Sequence, residues 1–257
     1  MEYQQIFERI EAKYLISESQ YYELMKMIGC HLGPDAYPHS EISSIYFDSD
    51  DFRLVRSSLQ KPAYKEKLRL RCYGEVSDES SVFFEIKKKY NGVCYKRRQD
   101  MNYRQAERYT VFDIRPCDSQ IMKEIDYLRS SQGQLNPKVM IRYLRDSFMA
   151  VNEPELRITF DRNIQFSLNN ISLTNRHPEK TLLDDQMRIM EIKTLTAMPL
   201  WLTGALDQLH IYPSNFSKYG TVYQNFLMKG VTRKCSNYYS HRYSPIHSPQ
   251  PTTCSVH

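Results

Sequence analysis

The feature that most constrains the fold is a set of strand-like segments that carry charged, mostly basic side chains on one face and apolar ones on the other. The segment KEKLRLRCYG, residues 65–74, shows the pattern most clearly. Because side chains alternate along a strand, its four cations share one face, whereas the opposite face is mostly apolar. These four cations are Lys65, Lys67, Arg69 and Arg71. The pattern needs an explanation that goes beyond an ordinary half-buried strand.

The same arrangement recurs in other segments of the chain. The residues that share a face are Glu11 and Lys13, Glu85 and Lys87, Lys96 and Arg98, Tyr143 and Arg145, Arg157 and Asp161, and Glu191 and Lys193. For any single strand, the solvated face of an antiparallel sheet is the simpler interpretation. A flat sheet built from all of these strands, however, would place cations opposite cations and repel itself.

Closing the sheet with its cations inward removes this difficulty. A polyanion inside would neutralise the charge, and helices could cover the apolar outer face. A narrow cationic channel focuses potential onto an anion, and arginine binds phosphate oxygens through paired donors. We therefore predict an α+β fold, an antiparallel β-barrel with a polar cationic lumen flanked by helices, that acts as a phosphate-binding tunnel.

Periodicity and turn signals divide the chain into elements. The predicted strands are 7–17, 42–49, 64–73, 81–90, 93–101, 138–148, 156–167 and 187–195. The predicted helices run from an N-cap at Ser19 to Ile28, and over 50–59, 104–112, 118–131, 198–209 and 219–230. Asn91-Gly92 predicts a hairpin between the fourth and fifth strands. We expect one domain over 1–230 and a disordered tail over 231–257.

Composition narrows the class of protein further. The formal charge of +5, from 35 basic and 30 acidic residues, is too mild for a general coating of nucleic acid. Six cysteines without a CxxC pair indicate a reduced protein. The N-terminus has no apolar signal core, and no apolar run approaches the roughly 18 residues that span a bilayer. These features predict a soluble cytoplasmic chain that does not insert directly into a membrane.

Nine short motifs, in order, carry a resemblance to a known family. They are ERIEAKY, SIYFDS, YKEKLRLRCYG, FFEIKKK, YKRR, RYLRDSF, LRITFDRNIQF, MEIKTL and NFSKYG. From about residue 5 to residue 229 the chain resembles the VTC domain, the polyphosphate polymerase domain of the vacuolar transporter chaperone complex, within the triphosphate tunnel metalloenzyme (CYTH) superfamily. The resemblance implies an antiparallel tunnel that holds a triphosphate or polyphosphate chain.

The resemblance also implies which side chains act. The expected catalytic residues are Arg69, Arg71, Lys87, Arg145, Arg157 and Lys218. The expected phosphate-binding residues are Lys13, Lys96, Tyr143 and Ser217, together with Lys67 and Lys193, which share faces with residues of the site. Glu191 matches the metal-binding glutamate of the family and is the expected principal ligand of Mn²⁺ or Mg²⁺. Glu85 and Glu11 are secondary ligands or simple partners of neighbouring cations.

One departure from the superfamily bears on the reaction. The ExExK strand has lost its first glutamate and reads Arg9-Ile-Glu11-Ala-Lys13 here. With one carboxylate fewer, a hydrolase that needs two well-held metal ions is disfavoured. The expected reaction is metal-dependent synthesis of polyphosphate from the γ-phosphate of ATP.

Other functions remain open at this stage. One is a non-catalytic module that binds polyphosphate or triphosphate and acts with a membrane-protein partner, and another is a triphosphate hydrolase. Nucleic-acid binding is disfavoured because no RNP1, KH or zinc-finger pattern is present in the sequence.

Overall fold

The computed structural model describes residues 10–60, 62–91, 93–195 and 197–228. Residues up to Thr221 belong to one compact unit, and Val222 begins a second. Arg9 and the expected disordered tail over 231–257 lie outside the described residues. The proposed boundary at residue 230 therefore stays a prediction.

The described residues form nine strands and six α-helices. The strands are β1 (Ile10–Ser17), β2 (Leu32–Asp48), β3 (Tyr64–Tyr73), β4 (Ser81–Tyr90), β5 (Val93–Asn102), β6 (Asn136–Ala150), β7 (Arg157–Ser167), β8 (Lys180–Thr181) and β9 (Met187–Thr194). The helices are α1 (Glu18–Ile28), α2 (Arg53–Leu59), α3 (Tyr103–Phe112), α4 (Gln120–Ser131), α5 (Leu200–Gln208) and α6 (Lys218–Val222). A 3₁₀ turn, Gly29–His31, follows α1, and a π-helical segment, Tyr223–Leu227, lies in the second unit.

One antiparallel sheet contains all nine strands. Its order is β1-β9-β7-β6-β2-β3-β4-β5, and β8 pairs with β7. Although β1 and β4 are far apart in this order, Lys87 Nζ lies 3.0 Å from Glu11 Oε2. The sheet is therefore strongly curled, and a side chain of the end strand β1 contacts β4, the strand next to the opposite end. The predicted α+β tunnel fold is confirmed, with contacts between side chains completing the wall.

The apolar core lies on the convex side of the sheet. Phe84 of β4 packs in one cluster with Tyr109 of α3 and Ile125 of α4. A second cluster contains Phe160 of β7 and Leu24 of α1 and is completed by residues of α5. Burial of each such side chain is worth about 2 kcal/mol. The sheet is thus held by the helices outside it, which leaves its concave face free for polar residues.

The N-terminus of α1 differs from the sequence prediction. Ser17, not Ser19, is the N-cap, and its hydroxyl accepts a hydrogen bond from the Gln20 backbone N–H at 3.1 Å. The Gln20 side chain in turn accepts from the Ser17 N–H at 3.0 Å. This reciprocal capping box satisfies two backbone donors, so it is favoured over a cap two residues later.

Strand β2 is also longer than predicted. It begins at Leu32, ten residues before the expected start, and pairs with β6 on either side of an irregularity between Pro34 and His39. Proline cannot donate to a ladder, and the prolines and glycine of this stretch mask its strand character. The predicted hairpin after β4 is confirmed by the pairing of Tyr90 with Val93.

Asp48, at the end of β2, fixes the start of α2 and the position of α6. Its carboxylate accepts hydrogen bonds from the backbone N–H groups of Leu54 at 2.8 Å and Val55 at 3.0 Å. It also accepts from the Tyr219 hydroxyl at 2.9 Å. Burial raises the pKa of Asp48, and these hydrogen bonds oppose the rise. The Tyr219 ring is thereby held against the concave face.

Candidate functional site

The predicted site residues converge on the concave face of the sheet or at its rim. Contacts between strands that are not neighbours show this directly: Arg71 of β3 donates to the Tyr143 hydroxyl of β6 at 3.1 Å, across the intervening strand β2. Lys87 reaches Glu11 in the same way. The predicted basic residues are Lys13, Lys67, Arg69, Arg71, Lys87, Lys96, Arg145, Arg157, Lys193 and Lys218. The cationic face therefore points into the lumen.

Glu85 is the centre of one charged group. Arg69 Nε donates to its carboxylate at 2.7 Å, Lys96 Nζ lies 2.6 Å from its other oxygen, and Arg71 Nε is 3.9 Å away. The carboxylate is 1% exposed. Burial alone would raise the pKa of Glu85, but Arg69, Arg71 and Lys96 lower it to about 2. Both oxygens are engaged by cations, so we do not assign this residue to a metal ion.

A second group surrounds Glu191. Lys193 Nζ lies 2.6 Å from Glu191 Oε1. Lys13 Nζ lies 3.9 Å from Glu191 Oε2 and 3.8 Å from Glu11 Oε1, so this ammonium group sits between the two carboxylates. Burial lowers the pKa of Lys13, and the two carboxylates oppose that effect. Despite its own burial, the pKa of Glu191 is held well below the usual range by Lys193 and Lys13.

A third group centres on Asp161, which sequence reasoning did not assign to the site. Arg145 makes a two-pronged contact to its carboxylate, with Nε at 2.6 Å and Nη2 at 2.8 Å, and Lys218 binds the second oxygen. Both cations also lie over the Tyr143 ring, Lys218 Nζ at 4.4 Å from the centroid and Arg145 Cζ at 5.4 Å. Burial opposes ionisation, but Lys218 and Arg145 lower the pKa of Asp161. Asp161 therefore positions two of the predicted catalytic cations.

The NFSKYG loop closes one side of the site. Ser214 N donates to the Lys13 backbone oxygen at 2.6 Å, along the edge of β1 that does not pair with β9. The Ser217 hydroxyl accepts from Lys67 Nζ at 3.2 Å and from the Gly220 N–H at 3.2 Å. Burial lowers the pKa of Lys67 to about 8. This loop thus brings Ser217 and the start of α6 to the cations of β3.

Arg157 lies on the lumen face at one end of β7, opposite Lys193. Its guanidinium is 39% exposed and pairs with Asp35, with Nη2 at 2.5 Å from Oδ2. Two residues further along β7, Thr159 is fully buried opposite Glu191, and its hydroxyl has no hydrogen-bond partner within the described part of the chain. Arg157 is therefore at the rim of the predicted site, whereas Thr159 lies beside the proposed metal ligand.

Tyr46 is a second residue that the sequence analysis missed. Its hydroxyl accepts a hydrogen bond from Arg69 Nη1 at 3.4 Å, and its ring stacks on Tyr219 at a centroid distance of 5.1 Å. Burial alone would raise the pKa of Tyr46, but Arg69, Arg71 and Lys67 lower it to about 7. In SIYFDS, side chains alternate between the two faces of the strand, so Tyr46 shares a face with the polar Ser44. This alternation is the signal that could have identified Tyr46 as a residue of the lumen.

The donor set fits a metal ion only if phosphate oxygens complete the coordination. Among the residues that the structure describes, no group of three or more His, Cys, Asp or Glu side chains is arranged to hold a metal. Glu191 and Glu11 both lie within 4 Å of Lys13 Nζ. Thr159, whose hydroxyl has no hydrogen-bond partner among the described residues, lies opposite Glu191. Mg²⁺ commonly binds one or two carboxylates together with substrate phosphates, so these residues suit that mode.

Comparison with known proteins identifies the family. The model of the VTC domain family matches residues 8–227. This chain belongs to the VTC domain family. The match confirms the family expected from the nine motifs and supports a function related to polyphosphate.

One curated relative is subunit 4 of the vacuolar transporter chaperone complex of Schizosaccharomyces pombe. It is 26% identical to this VTC domain over 193 residues, which cover 63% of this chain and 26% of the relative. The chain thus spans about a quarter of the length of the relative that it matches.

Two solved structures resemble this VTC domain. A candidate adenylate cyclase from Bacillus halodurans is 16% identical and has a TM-score of 0.51, covering 85% of this chain and 97% of its own. Another, from Vibrio parahaemolyticus, is 12% identical and has a TM-score of 0.43, covering 85% and 99% respectively. The first likeness agrees with the tunnel fold.

No helix in the described part of the chain has the length and apolar character needed to span a membrane.

Proposed function

We propose that this VTC domain binds an inorganic triphosphate or polyphosphate chain along its concave face and extends the chain with the γ-phosphoryl group of ATP. The observation that carries the proposal is the convergence of ten predicted basic residues on one lumen or its rim. The carboxylates that face them are Glu11, Asp35, Glu85, Asp161 and Glu191. Cations outnumber carboxylates two to one, so a chain of phosphates is the ligand class that best balances this surface.

The arrangement suits phosphoryl transfer because that reaction depends mainly on positioning and on neutralisation of charge. Arg69 and Arg71 present forked donors from β3, while Arg145 and Lys218 approach from the other side of Tyr143. In the proposed reaction a terminal oxygen of the chain attacks the γ-phosphorus of ATP. The bond from that phosphorus to the β–γ bridging oxygen breaks, and ADP leaves with the electron pair.

In this proposal Glu191 holds Mn²⁺ or Mg²⁺, with Glu11 as a second carboxylate. A bound divalent ion would neutralise charge on the phosphate oxygens. Lys13 lies between these carboxylates and must move aside or share them with the ion. Its lowered pKa makes the loss of its positive charge easier at this position.

A non-catalytic binding module is the second candidate. It is favoured by the ion pairs that Glu191 and Glu11 already make with lysines, which compete with a metal ion. The relative from fission yeast is named as a subunit of a complex, which supports a protein partner, and a membrane protein is the partner that we propose. A triphosphate hydrolase is less favoured, since Arg9 stands in place of the first glutamate of the ExExK strand and leaves one carboxylate fewer to hold two metal ions.

The test is to incubate the purified protein with ATP and Mn²⁺ and to measure polyphosphate and ADP, with triphosphate binding followed in parallel. We expect polymer formation that Glu191→Gln reduces at least tenfold while metal-free binding survives. Arg71→Ala should weaken binding itself. Arg104→Ala, which removes an exposed ion pair with Asp78, is the matched control and should behave as wild type.

The outcomes separate the candidate functions. Tight triphosphate binding without product would establish the binding module and refute the polymerase. Release of monophosphate without polymer would indicate the hydrolase. Stronger binding of single-stranded oligonucleotides than of triphosphate would contradict the prediction that nucleic acid is not a ligand.

A further inference from the structure

The Tyr46 hydroxyl occupies an unusual position among the cations of the lumen. It lies on β2, opposite Arg69 in the β3 ladder, and accepts the 3.4 Å hydrogen bond from Arg69 Nη1. Tyr46 is 8% exposed, and its ring is fixed by the stack on Tyr219, whose own hydroxyl is bound to Asp48. Its oxygen is therefore held in place as an acceptor facing positive charge.

The charged groups around this hydroxyl come from several elements. From β3 they are Lys67, Arg69 and Arg71, and from α6 there is Lys218, while the Tyr219 ring of the same helix stacks on Tyr46. Three carboxylates lie one step further away: Glu85 of β4 on Arg69, Asp161 of β7 on Lys218, and Asp48 of β2 on the Tyr219 hydroxyl. On the neighbouring strand β6, the residue opposite Tyr46 is the buried Val139. The charged groups nearest to the Tyr46 hydroxyl are thus cations, and the carboxylates beyond them already accept hydrogen bonds from other side chains.

We propose that Tyr46 serves as a further anion of the empty tunnel beside its carboxylates, a phenolate on Arg69 that takes up a proton when a phosphate chain enters. This inference rests on the proposed binding of phosphate and goes beyond it by assigning a role to a residue outside the expected site. Phosphate oxygens bring the negative charge that the phenolate otherwise supplies. The proton comes from the solvent buffer, and the neutral hydroxyl can then donate to a phosphate oxygen while it still accepts from Arg69.

The electrostatics of the lumen agree with this exchange. The pKa of Tyr46 is lowered to about 7, so the phenol and the phenolate are both accessible near neutral pH. Glu85, in contrast, has a pKa lowered to about 2 and is ionised in the empty tunnel at neutral pH. Lys67, with a pKa lowered to about 8, can also gain a proton when an anion binds, so a change in pH dependence alone would not identify the group.

The experiment therefore reads the phenolate directly. The ultraviolet band of tyrosinate is recorded for the wild-type protein at about pH 8, before and after titration with inorganic triphosphate in a chelator. We expect one tyrosinate per chain to disappear on binding. Tyr46→Phe should lack this signal, while Tyr109→Phe, which removes a buried hydroxyl bound to Asp126 between α3 and α4, should keep it.

Affinity provides the second measurement. With a phenol pKa of about 7 in the empty tunnel, proton linkage predicts that raising the pH from 6 to 8 weakens triphosphate binding about tenfold through Tyr46. Tyr46→Phe should lose about this factor from its pH dependence, whereas the Lys67 contribution and the protons of triphosphate itself remain.

The possible results distinguish the proposed role of Tyr46 from the proposed binding of phosphate in the tunnel. If wild-type protein binds triphosphate and its tyrosinate band does not change, the role of Tyr46 is refuted and the phosphate tunnel stands. If wild-type protein binds no triphosphate, both proposals fail. If Tyr46→Phe does not fold, the wild-type band must still disappear on binding and must persist in empty Tyr73→Phe, which removes a second tyrosine whose pKa is lowered by Arg71; loss of the band in Tyr73→Phe would refute the role of Tyr46.

Discussion

Replacement of the buried Glu85 by glutamine should destabilise the fold and strengthen phosphate binding. The glutamate is 1% exposed and neutralises Arg69 and Lys96, with Arg71 close by. Its pKa falls from an ordinary 4.5 to about 2, and one pKa unit corresponds to about 1.4 kcal/mol, so the charge contributes ~3 kcal/mol at neutral pH. Loss of one partner from a buried ion pair has a similar cost of about 3–5 kcal/mol.

Urea unfolding followed by the fluorescence of Trp201, the single tryptophan, measures this loss as a lower midpoint at unchanged slope. The sign of the contribution of Glu85 to the free energy of unfolding can also be checked by varying the pH. Because the pKa of Glu85 is lowered on folding, its stabilisation is complete above about 4.5 and disappears as the pH falls toward about 2. The difference between wild type and Glu85→Gln should therefore shrink over this range.

A matched control is Glu23→Gln, which removes an exposed ion pair with Lys26 within α1 and should cost about 0.3 kcal/mol. Triphosphate should raise the midpoint of Glu85→Gln more than that of wild type, because the ligand supplies the missing negative charge. Equal stability of Glu85→Gln and wild type at neutral pH would refute the view that Glu85 holds these cations together.

Three further changes test other parts of the structure. Asp161→Asn should lower stability by about 3 kcal/mol and weaken triphosphate binding, measured by urea unfolding and calorimetry, because Arg145 and Lys218 lose the carboxylate that positions them. Lys67→Met should raise the melting temperature while weakening triphosphate binding, because the protein no longer buries a charge whose pKa is lowered to about 8. Ser17→Ala should cost about 1 kcal/mol in urea unfolding through loss of the α1 cap.

The sequence predicts strands with regular alternation, and strands beside a tight turn, with the greatest accuracy. Strands β3 and β4 have the predicted bounds, and β5 ends one residue later than predicted, because alternation along a strand and the Asn91-Gly92 turn between β4 and β5 act over short distances. The early part of β2 was missed because its ladder with β6 depends on residues more than a hundred positions away in sequence. Local propensity carries no information about such pairing.

The candidate site shows the same limit. The basic residues could be predicted because their faces alternate with apolar residues within each strand. Asp161 and Tyr46 acquire their roles only when Lys218 and Arg69 arrive from other elements. For Glu85 the sequence leaves open a metal ligand or a partner of neighbouring cations, and its ion pairs with Arg69 and Lys96 form because β3, β4 and β5 lie side by side.

The ion pair between Glu11 and Lys87 bears on how a long polymer could enter the lumen. Strands joined by a ladder of backbone hydrogen bonds separate only at a high energetic cost, whereas an ion pair between two partly exposed side chains opens and re-forms easily. Among the contacts described on this side of the lumen, the Glu11–Lys87 ion pair is therefore easier to open than the backbone hydrogen bond that holds Ser214 on β1. Under the proposed binding of polyphosphate, opening there would admit a polymer from the side, without threading from its tip.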